Sequence, residues 1–380
     1  MKVVLSLSLF LISLQDFYSY NLSFTILSVL GLIILFILYT IKSKDIIFEK
    51  EHKNILLLFY IFPLLLSSIN FFCNYEILSY KRIIGLLMCV FTFHIFSSLA
   101  KNYYEIINKA LYFVLIVHTA FFYFNLVDIY FFNHLFDPIL LFTNFEMQAT
   151  HFTYIFGKQI LRPCGLFQEP GSYAAYLSPL ILFFSLKNTK KSNFILNLSI
   201  SSLFISLSTF GFILGAIILY FKKSYKKSVF KIIFPITLIL LSFLFSIFRF
   251  NINLANDTFN LSHEDRLTKE NSGFERRLFL LNKLSDSLSD DTTKFLFGYS
   301  ILNPVSIKDI GSTISSNDSG FFFYSILFNG LIYTFIFYIL YFKFYNRNLK
   351  SIAFITLLTF SKISIFSLIF PIYLYLFHEK

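Results

Sequence analysis

The chain has 380 residues, of which 56% are hydrophobic and only 14% are charged. Soluble domains carry about a quarter charged residues, so this composition excludes an ordinary soluble domain and predicts an all-α, polytopic integral membrane protein. The net charge of +11 is spread between hydrophobic runs instead of lying on one face. That distribution favours basic cytoplasmic connectors over a nucleic-acid partner.

Apolar runs close to the length of a membrane-spanning helix recur along the chain. They predict spans near 3–19, 22–41, 54–72, 83–100, 106–126, 172–186, 229–249 and 320–342. Basic clusters without acids flank the tract 194–221 on both sides, which predicts a hairpin of two short helices with both ends in the cytoplasm. The tract 351–377, interrupted at Ser361-Lys362, is predicted to be another short pair. About twelve spans result, with both termini cytoplasmic.

This topology predicts one membrane domain over 1–380 with two large extracytoplasmic loops, 127–171 and 250–319. Leucines recur at helical spacing within the second loop, so an amphipathic helix is expected near 275–288. The three cysteines have no metal-ligand spacing and the histidines of the loops are far apart in sequence. We therefore expect no metal and no cofactor.

The stretch Arg162-Pro-Cys-Gly-Leu-Phe-Gln-Glu-Pro170 is a short polar loop that leads directly into a predicted span. Its two prolines stiffen its ends and Gly165 allows a bend between them. An ionisable pair such as Arg162 and Glu169 is costly beside hydrocarbon unless it has partners, which makes it a candidate site. A charged loop that only anchors a helix end is the alternative.

Three more residues are candidates in the second loop. Arg276 and Arg277 begin the predicted amphipathic helix, and arginine suits a phosphate because its planar fork donates two hydrogen bonds and keeps its charge. A salt bridge to a nearby acid is an equally simple role. Asp318 precedes the span near 320–342, where it can cap the helix or accept a proton from a substrate hydroxyl.

With these residues in view, the chain resembles the O-antigen polymerase family, the Wzy-type polymerases, which share a superfamily with the O-antigen ligases. The resemblance rests on Arg162-x-x-Gly165-x-Phe167-x-Glu169-Pro170, which is similar to the family pattern R-x-x-G-x-F-x-E-P. Looser similarities support it. They are Leu207-Ser-Thr-Phe-Gly211, Ser272-Gly-Phe-Glu-Arg-Arg277, Phe297-Gly298-Tyr299, Asn317-Asp318 and Gly330.

The resemblance implies metal-independent glycosyl transfer on the outer face of the bacterial cytoplasmic membrane. The substrate would be an undecaprenyl-pyrophosphate-linked oligosaccharide, extended into O-antigen or capsule, with membrane lipid, a chain-length regulator and a flippase as candidate partners. Arg162 and Arg277, or Arg276 in its place, would hold the pyrophosphate, and Glu169 or Asp318 would take the acceptor proton. An O-antigen ligase is the alternative within the class, and a glycan flippase or transporter the alternative of another class.

Overall fold

The computed structural model describes residues 1–14, 22–42, 50–66, 68, 80–131, 152–155, 158–167, 169–187, 193–223, 296–298, 320–345 and 348–378. This part of the chain is predominantly α-helical, as predicted. The helices are α1 (Lys2–Ser13), α2 (Leu22–Lys42), α3 (Lys50–Leu56), α4 (Tyr80–Phe131), α5 (Pro170–Lys187), α6 (Asn193–Ile205), α7 (Thr209–Lys223), α8 (Phe321–Tyr345), α9 (Leu349–Phe360) and α10 (Phe370–His378). After α3 the chain continues as a π-helix, Leu57–Ile61.

Two short strands lie within the predicted first loop. The strands β1 (Phe152–Ile155) and β2 (Lys158–Leu161) pair antiparallel, with Phe152 opposite Leu161. This hairpin was not predicted from the sequence. It leads directly into Arg162, the first residue of the stretch 162–170, which we call the motif loop. The chain therefore enters this loop from a hydrogen-bonded strand.

Within the described ranges, one helix, Arg82–Phe131, has the length and hydropathy needed to cross a membrane. Several shorter apolar helices, of 10–17 residues, are also present. The count of about twelve spans therefore stays a prediction. The predicted span 229–249 and the predicted helix 275–288 lie outside the described residues.

Helix α4 consists of two arms that run in opposite directions. Its first arm follows α10, because Arg82 lies near Phe366 and Phe96 packs against Tyr375. Its second arm runs against α5, because Lys187 lies over Tyr104 while Phe122 stacks on Tyr173.

The reversal occurs at Tyr103, whose φ of −131° and ψ of 31° are not helical. If it were straight, a helix of 52 residues would be about 78 Å long, which these contacts exclude. The separate helices predicted over 83–100 and 106–126 agree with this arrangement.

The predicted hairpins in 194–221 and 351–377 are both present. Helices α6 and α7 are joined by a turn at 206–208, and α9 and α10 are separated by a non-helical segment, 361–369, which we call the break. The four helices have 9–15 residues. At 1.5 Å per residue they extend about 14–22 Å, which is less than the ~30 Å that a membrane-spanning helix covers.

Lysines gather at one end of the helix bundle, which we call the basic end. Lys187 ends α5 beside Tyr104. His378, at the end of α10, forms a hydrogen bond with Tyr341 and packs on Tyr345. Lys343 lies between these two tyrosines in sequence. Lys222 lies in the last turn of α7 and Lys350 in the first turn of α9, and both of these helix termini are at the basic end. The motif loop, the 206–208 turn and the break lie at the other end.

Two glycines of the looser motifs pack against each other. Gly330 interrupts α8 with a φ of 81°, and Gly298 also has a φ of 81°. A Cβ on Gly330 would lie 2.2 Å from the carbonyl oxygen of Leu296, and one on Gly298 would lie 2.4 Å from the backbone of Phe328. Backbone therefore meets backbone at the bend of α8, and only glycine fits at both positions.

Candidate functional site

The middle of the motif loop is fastened to α4. The side-chain oxygen of buried Asn125 accepts hydrogen bonds from the backbone amides of Cys164 (3.0 Å) and Gly165 (3.3 Å). Gly165 has a φ of +63°, and a Cβ there would lie 3.2 Å from Cα of Phe122. The motif glycine is thus required for both its backbone conformation and its close approach to α4.

The motif phenylalanine anchors the loop. Phe167 is buried, stacks on Tyr176 at 6.0 Å, and meets Tyr173 edge-on at 5.8 Å. Aromatic pairs in these arrangements add about 0.5–1.5 kcal/mol each beyond area burial. The side chain therefore ties the loop to the first two turns of α5.

The end of the motif begins α5. The carbonyl oxygen of Glu169 accepts the first helical bond, from the amide of Tyr173 at 3.1 Å. Pro170 occupies the first helical position, where its missing N–H is not needed. The carboxylate oxygen Oε1 of Glu169 accepts a hydrogen bond from the hydroxyl of Ser172 at 3.1 Å. The helix start therefore fixes both the backbone and the side chain of Glu169.

Glu169 forms an ion pair with Lys362 of the break. The ammonium of Lys362 bonds Oε1, the oxygen that Ser172 also binds. The Lys362 side chain is 7% exposed and that of Glu169 is 32% exposed. Two segments separated by almost two hundred residues thus meet through opposite charges, one of them buried.

The turn between α6 and α7 and the start of α7 lie close to Lys362. We call the charged residues Arg162, Glu169 and Lys362 the cluster. A Cβ on Gly171 would lie 3.3 Å from the ammonium of Lys362 and 3.4 Å from the hydroxyl of Ser208. The ring centre of Phe210 is 5.8 Å from the same ammonium, at cation–π distance. Gly171 therefore leaves the space in which Lys362 reaches Glu169.

The start of α8 contacts the break. The amide of Phe321 donates to the carbonyl oxygen of Ser361 at 3.1 Å, one residue before Lys362. Gly320 has a φ of +84°, and a Cβ there would lie 2.9 Å from the carbonyl oxygen of Thr359. The segment that follows Asp318 in sequence therefore begins its helix directly against the break.

Three backbone amides of the break donate hydrogen bonds to hydroxyl groups. The amide of Ile363 donates to the hydroxyl of Ser361 (3.3 Å), that of Ser364 to the hydroxyl of Tyr176 (3.3 Å), and that of Phe366 to the hydroxyl of Ser364 (3.2 Å). Non-helical backbone that is buried away from water needs such partners. The break is a built element of the fold.

Arg162 contributes a second positive charge. It is half-buried, and its Nε is a buried atom without a hydrogen-bond partner among the described residues. Burial lowers the pKa of this guanidinium from its usual value, although arginine stays protonated at neutral pH. Its charge repels that of Lys362. By formal charge, two cations and one carboxylate give this group of three residues one net positive charge.

The structure thus brings together two of the five predicted site residues, Arg162 and Glu169. Within the described ranges, Glu169 pairs with Lys362 and not with Arg162. Arg276, Arg277 and Asp318 lie outside the described residues, and their roles stay predictions.

Sequence reasoning did not place Lys362 in the site. The available signal was a single charge that interrupts an apolar tract between Ser361 and Ile363. An ionisable residue in such a tract is a functional candidate by default, and a motif carboxylate is its natural partner. In the part of the chain that the structure covers, no group of three His, Cys, Asp or Glu side chains could hold a metal ion.

Comparison of the chain with family models, with curated proteins and with solved structures finds no match.

Gly171→Ala tests the packing of this cluster without altering a charge. Alanine is the better helix former by about 1 kcal/mol, so the substitution should leave α5 intact while its methyl group displaces the ammonium of Lys362 or the hydroxyl of Ser208. We expect wild-type protein levels with at least about a tenfold loss of the activity that is proposed below. The matched control is Gly85→Ala, where the nearest atom, on Phe366, is 3.6 Å away. Equal activity of the two variants would contradict the prediction.

Proposed function

We propose that this protein is a polysaccharide polymerase that joins lipid-pyrophosphate-linked oligosaccharide repeat units on the outer face of a bacterial cytoplasmic membrane. The observation that carries the proposal is the meeting of the motif residues Arg162 and Glu169 with Lys362 in a cluster of net positive charge. The resemblance of the motif to the polymerase pattern supports the same assignment. The product would be O-antigen or capsule.

The proposed reaction is a direct displacement. The acceptor hydroxyl oxygen forms a bond to the anomeric carbon of the donor glycan, while the bond from that carbon to the pyrophosphate oxygen breaks. The proton of the hydroxyl goes to Glu169, and the pyrophosphate leaves as an anion on its lipid. The configuration at the anomeric carbon is inverted.

Arg162 is the proposed binding group for the leaving pyrophosphate. A fixed cation aimed at developing negative charge is among the largest single contributions to catalysis. The buried Nε of Arg162, which has no partner among the described residues, provides a donor for a phosphate oxygen. In this proposal Arg277, or Arg276, supplies a second cation, and Asp318 is the alternative proton acceptor.

Surface chemistry supports a membrane location with several spans. Large apolar side chains are exposed along α2 and α8, among them Leu30, Ile33, Ile37, Phe335 and Ile339. Monomeric soluble proteins rarely expose contiguous apolar surface of this extent. The basic end of the bundle, opposite the cluster, fits the cytoplasmic side under the positive-inside rule. The cluster would then face the outer half of the membrane.

Glycan profiles of a deletion strain test the proposal. A strain without a polymerase keeps single repeat units on its final acceptor, and complementation with the wild-type gene should restore long chains. Accumulated lipid-linked polymer would instead indicate the ligase alternative. Loss of both single units and polymer would indicate a flippase or transporter. The polar residues of the described cluster gather at a loop end, whereas transporter sites lie between repeats near the midplane, which favours the enzyme.

A further inference from the structure

We infer that Lys362 is a positioning residue of this active site, which holds one carboxylate oxygen of Glu169 so that the other oxygen faces the acceptor hydroxyl. The inference rests on the proposed function and adds to it a residue from the C-terminal break. Lys362 acts through Glu169 in this role and does not itself contact the reacting atoms.

The two oxygens of the carboxylate have different surroundings. Oε1 accepts hydrogen bonds from the ammonium of Lys362 and from the hydroxyl of Ser172. No described residue donates to Oε2, and about a third of the Glu169 side chain remains exposed. A carboxylate held at one oxygen and open at the other presents a fixed lone pair to an incoming hydroxyl.

The fold brings Lys362 to this contact at a cost. Its side chain is 7% exposed, and an ammonium removed from water needs a compensating partner. The break separates α9 from α10 and places a charge in an otherwise apolar tract. Gly171 and Ser208 leave room for the ammonium of Lys362. Apolar residues of similar volume usually replace a buried ion pair without loss of stability. A functional use therefore explains the pair better than stability does.

The charged groups of this cluster come from two segments. The break supplies Lys362, which pairs with Glu169, and the motif loop supplies Arg162, whose charge acts on Lys362. The 206–208 turn supplies the uncharged hydroxyl of Ser208. If Lys362 bound the leaving group directly, its removal would weaken donor binding whether or not Glu169 were intact. A role through Glu169 predicts instead that the two residues act as one unit.

The experiment measures chain extension by the purified full-length protein in liposomes, with lipid-linked repeat units isolated from the deletion strain as substrate. The variants are Lys362→Met, Lys362→Arg, Glu169→Gln and the Glu169→Gln/Lys362→Met double variant. Lys343→Met, at an exposed site on α8 near the basic end, is the matched control. Unfolding temperature in detergent is recorded for each variant, and the double variant removes both charges together if a single variant does not fold.

We expect Lys362→Met to lower kcat about 10–100-fold with KM changed less than about threefold, and Lys362→Arg to recover most of that loss. In the Glu169→Gln background, Lys362→Met should cause no further loss. Equal losses in both backgrounds, or wild-type kcat in Lys362→Met, would overturn the inference while wild-type extension still supports the proposed function. A wild-type protein that does not extend chains overturns the proposed function, and this role of Lys362 with it.

Discussion

Arg162→Ala should abolish chain extension, with a loss of at least about 100-fold, while the protein remains in the membrane at wild-type level. The guanidinium is half-buried in the motif loop, and its Nε has no partner within the described part of the chain. Removal of the side chain therefore breaks no hydrogen bond of Nε within this part of the fold. Its removal also relieves the repulsion with Lys362, so stability should hold or rise. The measurement is polymer length in a complemented deletion strain.

Arg162→Lys separates charge from geometry. Lysine keeps the positive charge but lacks the planar fork that binds a phosphate through two hydrogen bonds, so we expect only partial recovery. Lys343→Ala is the control for a general loss of positive charge. We expect Arg277→Ala to behave as Arg162→Ala does, since the proposal assigns both to the pyrophosphate. Normal polymer in both arginine variants would remove the proposed phosphate site.

Glu169→Gln should keep only a small residual activity and should also be less stable than the wild-type protein. As a proton acceptor, the carboxylate is worth about 10²–10⁴ in rate, and glutamine cannot replace it. Glutamine still accepts the hydrogen bond from Ser172 but leaves the ammonium of Lys362 buried without its counter-ion. We expect the free energy of unfolding to fall by about 3 kcal/mol, at the low end for a buried pair because Glu169 is one-third exposed.

The size of the loss in stability distinguishes the two members of the pair. Lys362→Met removes the more buried charge and leaves a carboxylate that can reach water, so it should destabilise less than Glu169→Gln. The double variant should recover stability without recovering activity. Denaturant unfolding in detergent compares all three. Retained activity in Glu169→Gln would reduce this residue to a scaffold, and equal stability of the two single variants would contradict the asymmetry of burial.

Charge and periodicity predicted much of the fold from the sequence. The hairpin in 194–221 followed from lysine clusters at both of its ends, since a single crossing cannot return to its own side. The pair in 351–377 followed from the interruption at Ser361-Lys362. Both predictions depend on local signals, namely a run of apolar residues and the residues that flank or interrupt it. A single sequence contains all of this information.

The contacts of the site are not local, and the sequence could not provide them. The ion pair between Glu169 and Lys362, and the hydrogen bonds from the Cys164 and Gly165 amides to Asn125, depend on how helices pack. Several polar residues were equally good partners before the fold was known. The motif loop was predicted to be stiff at its ends and bent at Gly165, and the structure adds the reason, a close approach to α4 at Phe122.

The hydrogen bonds between the C-terminal hairpin and α5 impose an order of assembly. The amide of Ser364 donates a hydrogen bond to the hydroxyl of Tyr176 in α5. The hydroxyl of Tyr373 donates to the backbone carbonyl oxygen of Tyr176 at 2.7 Å. One backbone amide of the C-terminal hairpin, that of Ser364, therefore lacks its partner until α5 is in place. During biosynthesis the last two helices should dock only onto an already folded N-terminal portion, and when expressed alone they should be degraded.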